Sequence, residues 1–303
     1  MTESLGSILT AMVTPFDGEL AVDHARLAEL ARFLVDNGSD GLVVAGTTGE
    51  SPTLGDDEKL AMFRTVIEAV GERVPVIAGT GSNDTRHSIE LTRAAQECGV
   101  DAVLVVTPYY NKPPERGLLE HFRAVAGSTD LPVIVYNIPG RSVVNLSPDA
   151  LAVLGEVDNI VAVKQADPDL EHLRRLRELS DVGLYAGNDD MLFDVLALGG
   201  WGGICVASHL VGPRLAEMAR LVRSGDAGAA KLIDDGLRTL YETLFITASP
   251  IPVKEALNLL GHDVGGLRPP LLPATPEESI VIAQELRRQG LLTRSSTDRI
   301  TST

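Results

Sequence analysis

The chain has two cysteines among 303 residues, no run of ~18 consecutive apolar residues, and fewer basic than acidic side chains. Cys98 and Cys205 cannot make a disulfide framework. Both lie in apolar stretches where a small reduced thiol packs well, which favours the cytosol. Without a long apolar run no membrane span is expected. The start, Met1 to Gly6, has no basic region leading into an apolar one, so no export is expected either. Lys and Arg number 26 against 42 Asp and Glu, a formal net charge of -16. Such a surface repels phosphate backbones and anionic membranes unless basic residues cluster, and none do. Nucleic acid and membrane are therefore not expected as partners.

Motif absences narrow the chemistry further. The histidines at 24, 87, 121, 172, 209 and 262 show neither HxH nor HExxH spacing, and neither cysteine has a nearby ligand partner. No GxxxxGK(S/T) loop is present, and Gly79-Thr-Gly-Ser-Asn83 lacks the third glycine and the acidic partner of a dinucleotide fingerprint. No metal or other cofactor is expected.

What is present is a rhythm. The apolar content of 44% supports one large core or two ordinary ones. Leu27, Leu30, Ala31, Leu34 and Val35 recur at helical spacing, with Asp23 as N-cap and Gly38 past the end. Gly41 to Ala45 follows, apolar on both faces as a buried parallel strand must be. The pattern repeats as a helix over 56–70, a strand over 74–78, a helix over 84–98 and a strand over 100–107. Strands over 131–136, 160–164, 183–186 and 203–207 continue it, and Ile8 to Val13 supplies one at the front. Eight strands starting roughly every 20 to 35 residues predict βαβ units with right-handed crossovers. Their number suits a closed α/β (β/α)8 TIM barrel better than an open doubly wound sheet. Beyond Ser208 helices are expected over 211–222, 225–244, 251–260 and 276–290. The expected division is a catalytic barrel over 1–210, a C-terminal helical region over 211–292, and a disordered tail over 293–303.

In such a barrel, functional groups project from the carboxyl ends of the strands. Lys164 ends the apolar run Ile160-Val-Ala-Val-Lys164. A poorly solvated lysine there has a lowered pKa, and its neutral amine can attack a ketone to form a Schiff base. A lysine that merely pairs with a carboxylate at the barrel mouth is the alternative. Arg141, past the proline turn after Tyr136, could grip a carboxylate bidentately or be an ordinary surface arginine. The Thr47-Thr48-Gly49 turn could offer backbone N–H groups and a hydroxyl to a carboxylate, or be a plain turn capped by Ser51. Tyr110 and Tyr136 are candidate proton relays, with aromatic packing at the rim as the alternative.

Taken together, GTTGES, TPYYN, YNIPGR, VAVK, IPVK and LRPP resemble the dihydrodipicolinate synthase branch of the pyruvate-dependent class I aldolases, in order and over the chain from Ile8 to about Gly290. The resemblance implies that Lys164 forms the Schiff base with pyruvate and that Thr47 and Thr48 hold the pyruvate carboxylate. It implies Tyr136 as general acid and base, with Thr48 and Tyr110 as relay partners, Tyr110 reaching a neighbouring subunit's site. Arg141 would bind the carboxylate of L-aspartate 4-semialdehyde, and Gly187 and Ile204 would line the pocket. The implied product is 4-hydroxy-tetrahydrodipicolinate, on the route to lysine and diaminopimelate, from a cytoplasmic homotetramer built as a dimer of dimers. Ser51, Asn83, His87 and Tyr109 match a regulatory site, where His87 replaces the acidic residue of lysine-inhibited members. Weak or absent inhibition by lysine is therefore expected. Gln165, Asn188 and Ser249 also depart from the family pattern. They leave open a sister lyase acting on another aldehyde, such as an N-acetylneuraminate lyase or a keto-sugar-acid aldolase. A barrel that binds a keto acid without turning it over is the third reading.

Overall fold

The computed structural model describes residues 5–293. The expected tail lies, from residue 294 onward, outside the described residues. Eight strands form one closed parallel barrel in sequence order, β1 (Ile8–Ala11), β2 (Gly41–Val44), β3 (Val76–Gly79), β4 (Ala102–Val106), β5 (Val133–Asn137), β6 (Ile160–Gln165), β7 (Gly183–Ala186) and β8 (Gly202–Cys205). Alternation within strands makes two cores. Leu9, Val43, Ile77, Leu104, Ile134 and Ile204 fill the barrel interior, whereas Ile8, Leu42, Val44, Val76, Val103 and Val135 face the surrounding helices.

The helices of the ring begin where the sequence supplies caps. The carboxylate of Asp23 accepts from Arg26 N–H ahead of α1 (His24–Asp36), and that of Asp84 accepts from Arg86 N–H ahead of α3 (Thr85–Cys98). Between them, α2 (Asp56–Val70) opens on Asp56, Asp57 and Glu58, which suit the positive end of the helix dipole. Further round lie α4 (Glu115–Ala126), the single turn α5 (Pro139–Ser142), α6 (Pro148–Leu154), α7 (Leu170–Leu179) and α8 (Leu192–Ala197).

Where boundaries differ from expectation, the cause is local. β3 starts at Val76, not Val74, because Pro75 has no N–H for a ladder. β8 ends at Cys205, because the next two backbone N–H groups, of Val206 and Ala207, donate to the Asp189 carboxylate at 2.9 and 3.0 Å. The helix expected from Val211 begins at Ser208 as α9 (Ser208–Arg223), and Val211 sits at its kink, two residues ahead of Pro213. It packs on β1, α1 and α8, taking the eighth helical place in the ring. Beyond it come α10 (Ala227–Thr243), α11 (Ile251–Leu259) and α12 (Pro276–Arg288).

Barrel closure depends on a glycine. At Gly202, where β8 meets β1, a Cβ would lie 1.8 Å from the Ser7 carbonyl oxygen, which accepts from Gly203 N–H at 2.9 Å. Gly202→Ala should lower stability by about 1–3 kcal/mol, as overpacking does. Chemical unfolding measures this, and an unchanged midpoint would contradict the closure account.

Candidate active site

The carboxyl ends of β2 to β5 surround a cavity of about 230 Å³, whose wall includes Thr47, Ser51, Tyr109, Tyr136 and Arg141. On neighbouring strands Tyr136 and Lys164 are register partners, so their side chains project into the barrel side by side. The Lys164 ammonium lies 4.1 Å from the centre of the Tyr136 ring.

The electrostatics of the two groups follow from burial. Lys164 is only 5% exposed. Loss of water brings its amine down to about 8, while Asp189 opposes the shift through space and Arg141 adds to it. Lys164 makes no ion pair among the described residues, which removes the reading of it as a carboxylate's partner at the mouth. Tyr136 is pushed up to about 12 by the same burial, against the pull of Arg141 and a hydrogen bond with Thr47. Near neutral pH the pair is thus a partly neutral amine beside a protonated phenol.

The Thr47–Thr48 turn is built from strained backbone. Ala45 has φ 54 and Glu50 φ 58, left-handed values that are costly without glycine. Within the turn Gly49 N–H donates to Gly46 O at 3.0 Å and Glu50 N–H to Thr47 O at 3.1 Å. Thr47 reaches the cavity wall, and Thr48 is buried in the same turn.

What holds that strain is a buried cluster that reading the strand ends did not find. The Glu50 carboxylate accepts from Lys254 Nζ at 3.0 Å and from Arg268 N–H at 3.0 Å. Lys254 also donates to Thr14 O at 2.9 Å, and its side chain and that of Glu50 are each 1% exposed. Phe16 lies under both cations, 4.3 Å from Lys254 Nζ and 4.6 Å from the Arg268 guanidinium. Arg268 pairs with Glu58 at 2.6 Å, and Thr14 Oγ1 donates to Gly49 O at 2.6 Å. One signal was available in the sequence, since Lys254 closes an apolar run, Ile251-Pro-Val-Lys254, just as Lys164 does.

The remaining candidates divide. Arg141, on α5, lines the cavity and is exposed. Ile204 belongs to the same interior cluster as Tyr136. Gly187 N–H donates to Gln165 O at 2.7 Å, and a Cβ there would come within 2.7 Å of Ala166. Tyr110 is not brought to the site, being 87% exposed with φ 72. Of the expected regulatory set, Ser51 and Tyr109 line the cavity, the Asn83 carbonyl accepts from the Asn111 side chain, and His87 Nε2 is 2.8 Å from the Asp56 carboxylate. Asp189, just past the end of β7, is a buried acid that the sequence reading did not single out. Its buried carboxylate caps the end of β8 and, through the cost of burial, is raised to about 6. Among the described residues no three His, Cys, Asp or Glu side chains are grouped so as to hold a metal ion.

Comparison with known proteins bears on what such a site does. Residues 4–289 match the family model described as the dihydrodipicolinate synthetase family. The 4-hydroxy-tetrahydrodipicolinate synthase of Desulforudis audaxviator is 50% identical over 294 residues, covering 96% of this chain and 100% of the relative. A crystal structure of a dihydrodipicolinate synthase from Bacillus anthracis superposes with a TM-score of 0.92 at 45% identity, covering 94% of this chain and 99% of that one. Another, from Cyanidioschyzon merolae with lysine bound, gives 0.93 at 43% identity, covering 95% and 99%.

The amine supplies its own test. Reductive methylation of Lys164 should accelerate with rising pH around a midpoint of about 8, because the neutral fraction grows as the ammonium loses its proton. An exposed lysine would titrate at about 10.4. Peptide mass spectrometry follows the reaction, and a midpoint near that ordinary value would contradict the burial effect.

Proposed function

This chain belongs to the dihydrodipicolinate synthetase family, and we propose that it condenses pyruvate, held as a Schiff base on Lys164, with L-aspartate 4-semialdehyde to give 4-hydroxy-tetrahydrodipicolinate. The observation that carries the reading is the register pairing of Tyr136 with Lys164, a buried phenol against a buried amine at one end of a closed barrel.

The neutral amine of Lys164 attacks the pyruvate ketone, and the carbinolamine loses water to give the imine. The Thr47–Thr48 turn receives the pyruvate carboxylate. Loss of a proton from the methyl carbon gives the enamine, which attacks the aldehyde carbon of the second substrate. Tyr136, protonated at neutral pH, hands a proton to the developing alkoxide and recovers one through Thr47 or Thr48. Arg141, free at the cavity mouth, pairs with the carboxylate of the semialdehyde. The substrate's amino group then attacks the imine carbon, closing the ring and releasing Lys164. Anionic pyruvate, and a semialdehyde that presents a carboxylate, enter a protein of net charge -16 because Lys164 and Arg141 concentrate positive charge at the site.

The assembly reading is a homotetramer in which Tyr110 completes a neighbour's proton relay. Its support is an aromatic side chain in open solvent on a left-handed residue beside the site. The two free cysteines support a cytoplasmic setting, and among the described residues no helix is long and apolar enough to cross a membrane. At the regulatory position His87 an imidazole paired with the Asp56 carboxylate stands where a lysine ammonium would need an acidic partner. Sub-millimolar L-lysine should leave the steady-state rate unchanged, and inhibition in that range would contradict this.

Borohydride reduction in the presence of pyruvate tests the chemistry. The protein should gain one covalent pyruvate adduct on Lys164, and Lys164→Ala should gain none. Arg141→Ala should keep the adduct and raise KM for the semialdehyde about tenfold to a hundredfold, the worth of a charged hydrogen-bonding pair. Absence of an adduct on the unaltered protein would overturn the reading.

A further inference from the structure

Two cations of the C-terminal region, Lys254 on α11 and Arg268 in the segment that follows it, reach the turn after β2, and neither is accounted for by the condensation. Lys254 of α11 reaches the Glu50 carboxylate across a sequence separation of 204 residues, and the Arg268 backbone reaches it across 218. Glu50 is the residue that ends the Thr47–Thr48–Gly49 turn, and its own N–H donates to Thr47 O. The same lysine donates to Thr14 O, while Thr14 Oγ1 donates to the Gly49 carbonyl. The turn is therefore held at two consecutive residues, by the Glu50 side chain and the Gly49 carbonyl. The Arg268 guanidinium adds bonds to Leu20 O, Thr53 O and Glu58, tying the segment that follows the turn to the loop after β1.

We propose that Glu50, Lys254 and Arg268 form a positioning strut through which α11 and the segment after it set the affinity of the Thr47–Thr48 turn for the keto-acid carboxylate. The inference rests on the assignment of that turn as the pyruvate carboxylate site. None of the three touches substrate; they act by fixing backbone that would otherwise relax out of its left-handed conformation at Glu50. A turn that receives a carboxylate through backbone N–H groups and one hydroxyl loses affinity when those donors rotate by small angles, since hydrogen bonds weaken steeply away from linearity. The strut also explains why a helical region outside the barrel contributes to a site built at strand ends.

Neutralising both partners at once separates positioning from folding. Replacing a buried ion pair by apolar or neutral groups of similar volume leaves stability near its starting value, whereas removing one partner strands a buried charge. The test is the double variant Glu50→Gln with Lys254→Met, with pyruvate adduct formation measured by borohydride trapping as a function of pyruvate concentration. The half-saturating concentration should rise about tenfold, the loss of one charge-assisted hydrogen bond to the carboxylate. Maximal trapping and KM for the semialdehyde should hardly move. Thr14→Val, which removes only the bond to the Gly49 carbonyl, should raise half-saturation about threefold, a smaller neutral bond's worth, and decides the matter if the double variant does not fold. Folded variants with the half-saturation of the unaltered enzyme would overturn the strut. Equal losses for pyruvate and semialdehyde would also overturn it, by showing a general structural role. Failure of the unaltered enzyme to trap pyruvate would instead remove the substrate assignment, and the strut with it.

Discussion

The amine of Lys164, at the carboxyl end of β6, is almost cut off from water. The barrel interior is filled by Leu9, Val43, Ile77, Leu104, Ile134 and Ile204, so the ammonium of Lys164 is flanked by apolar side chains and the Tyr136 ring. That single constraint lowers the amine, so that part of it is a neutral nucleophile near pH 7, and raises the phenol, which stays protonated beside it.

Two buried lysines in the same chain show that burial alone does not decide the outcome. Burial draws Lys254 down as well, yet the charge and hydrogen bond of Glu50 oppose the fall, and Thr14 O and Phe16 occupy its remaining surroundings. Its nitrogen is committed as a donor, whereas that of Lys164 feels Asp189 only through space. Removing one partner of a pair such as Lys254–Glu50 costs about 3–5 kcal/mol. The interaction is thereby fit to hold a strained turn, and unfit to release a lone pair for attack. One lysine reacts and the other holds the pocket in shape.

Much of this was legible in the sequence, and for a physical reason. Parallel strands buried on both faces read as short apolar runs, and in a closed barrel the residue after each run stands at the same rim. Lys164, Tyr136 and the Thr47–Thr48 turn could therefore be gathered without coordinates. Capped helices were legible too, as Asp23 shows. What escaped was long-range pairing. That Lys254 meets Glu50, or that the Asp189 carboxylate takes the N–H groups of Val206 and Ala207, depends on how separate segments pack, and no local pattern encodes it. Exposure was hidden too, since the neighbours Tyr109 and Tyr110 have the same side chain, yet one lines the cavity and the other stands in solvent.

The most direct measurement is the pyruvate-dependent consumption of L-aspartate 4-semialdehyde, coupled to reduction of the product and followed through NADPH oxidation. A brisk rate that disappears in Lys164→Ala is the expected result. No rate with this aldehyde, in a preparation that still traps pyruvate with borohydride and turns over with a sugar-derived aldehyde instead, would contradict the acceptor assigned to Arg141 while leaving the imine chemistry of Lys164 in place.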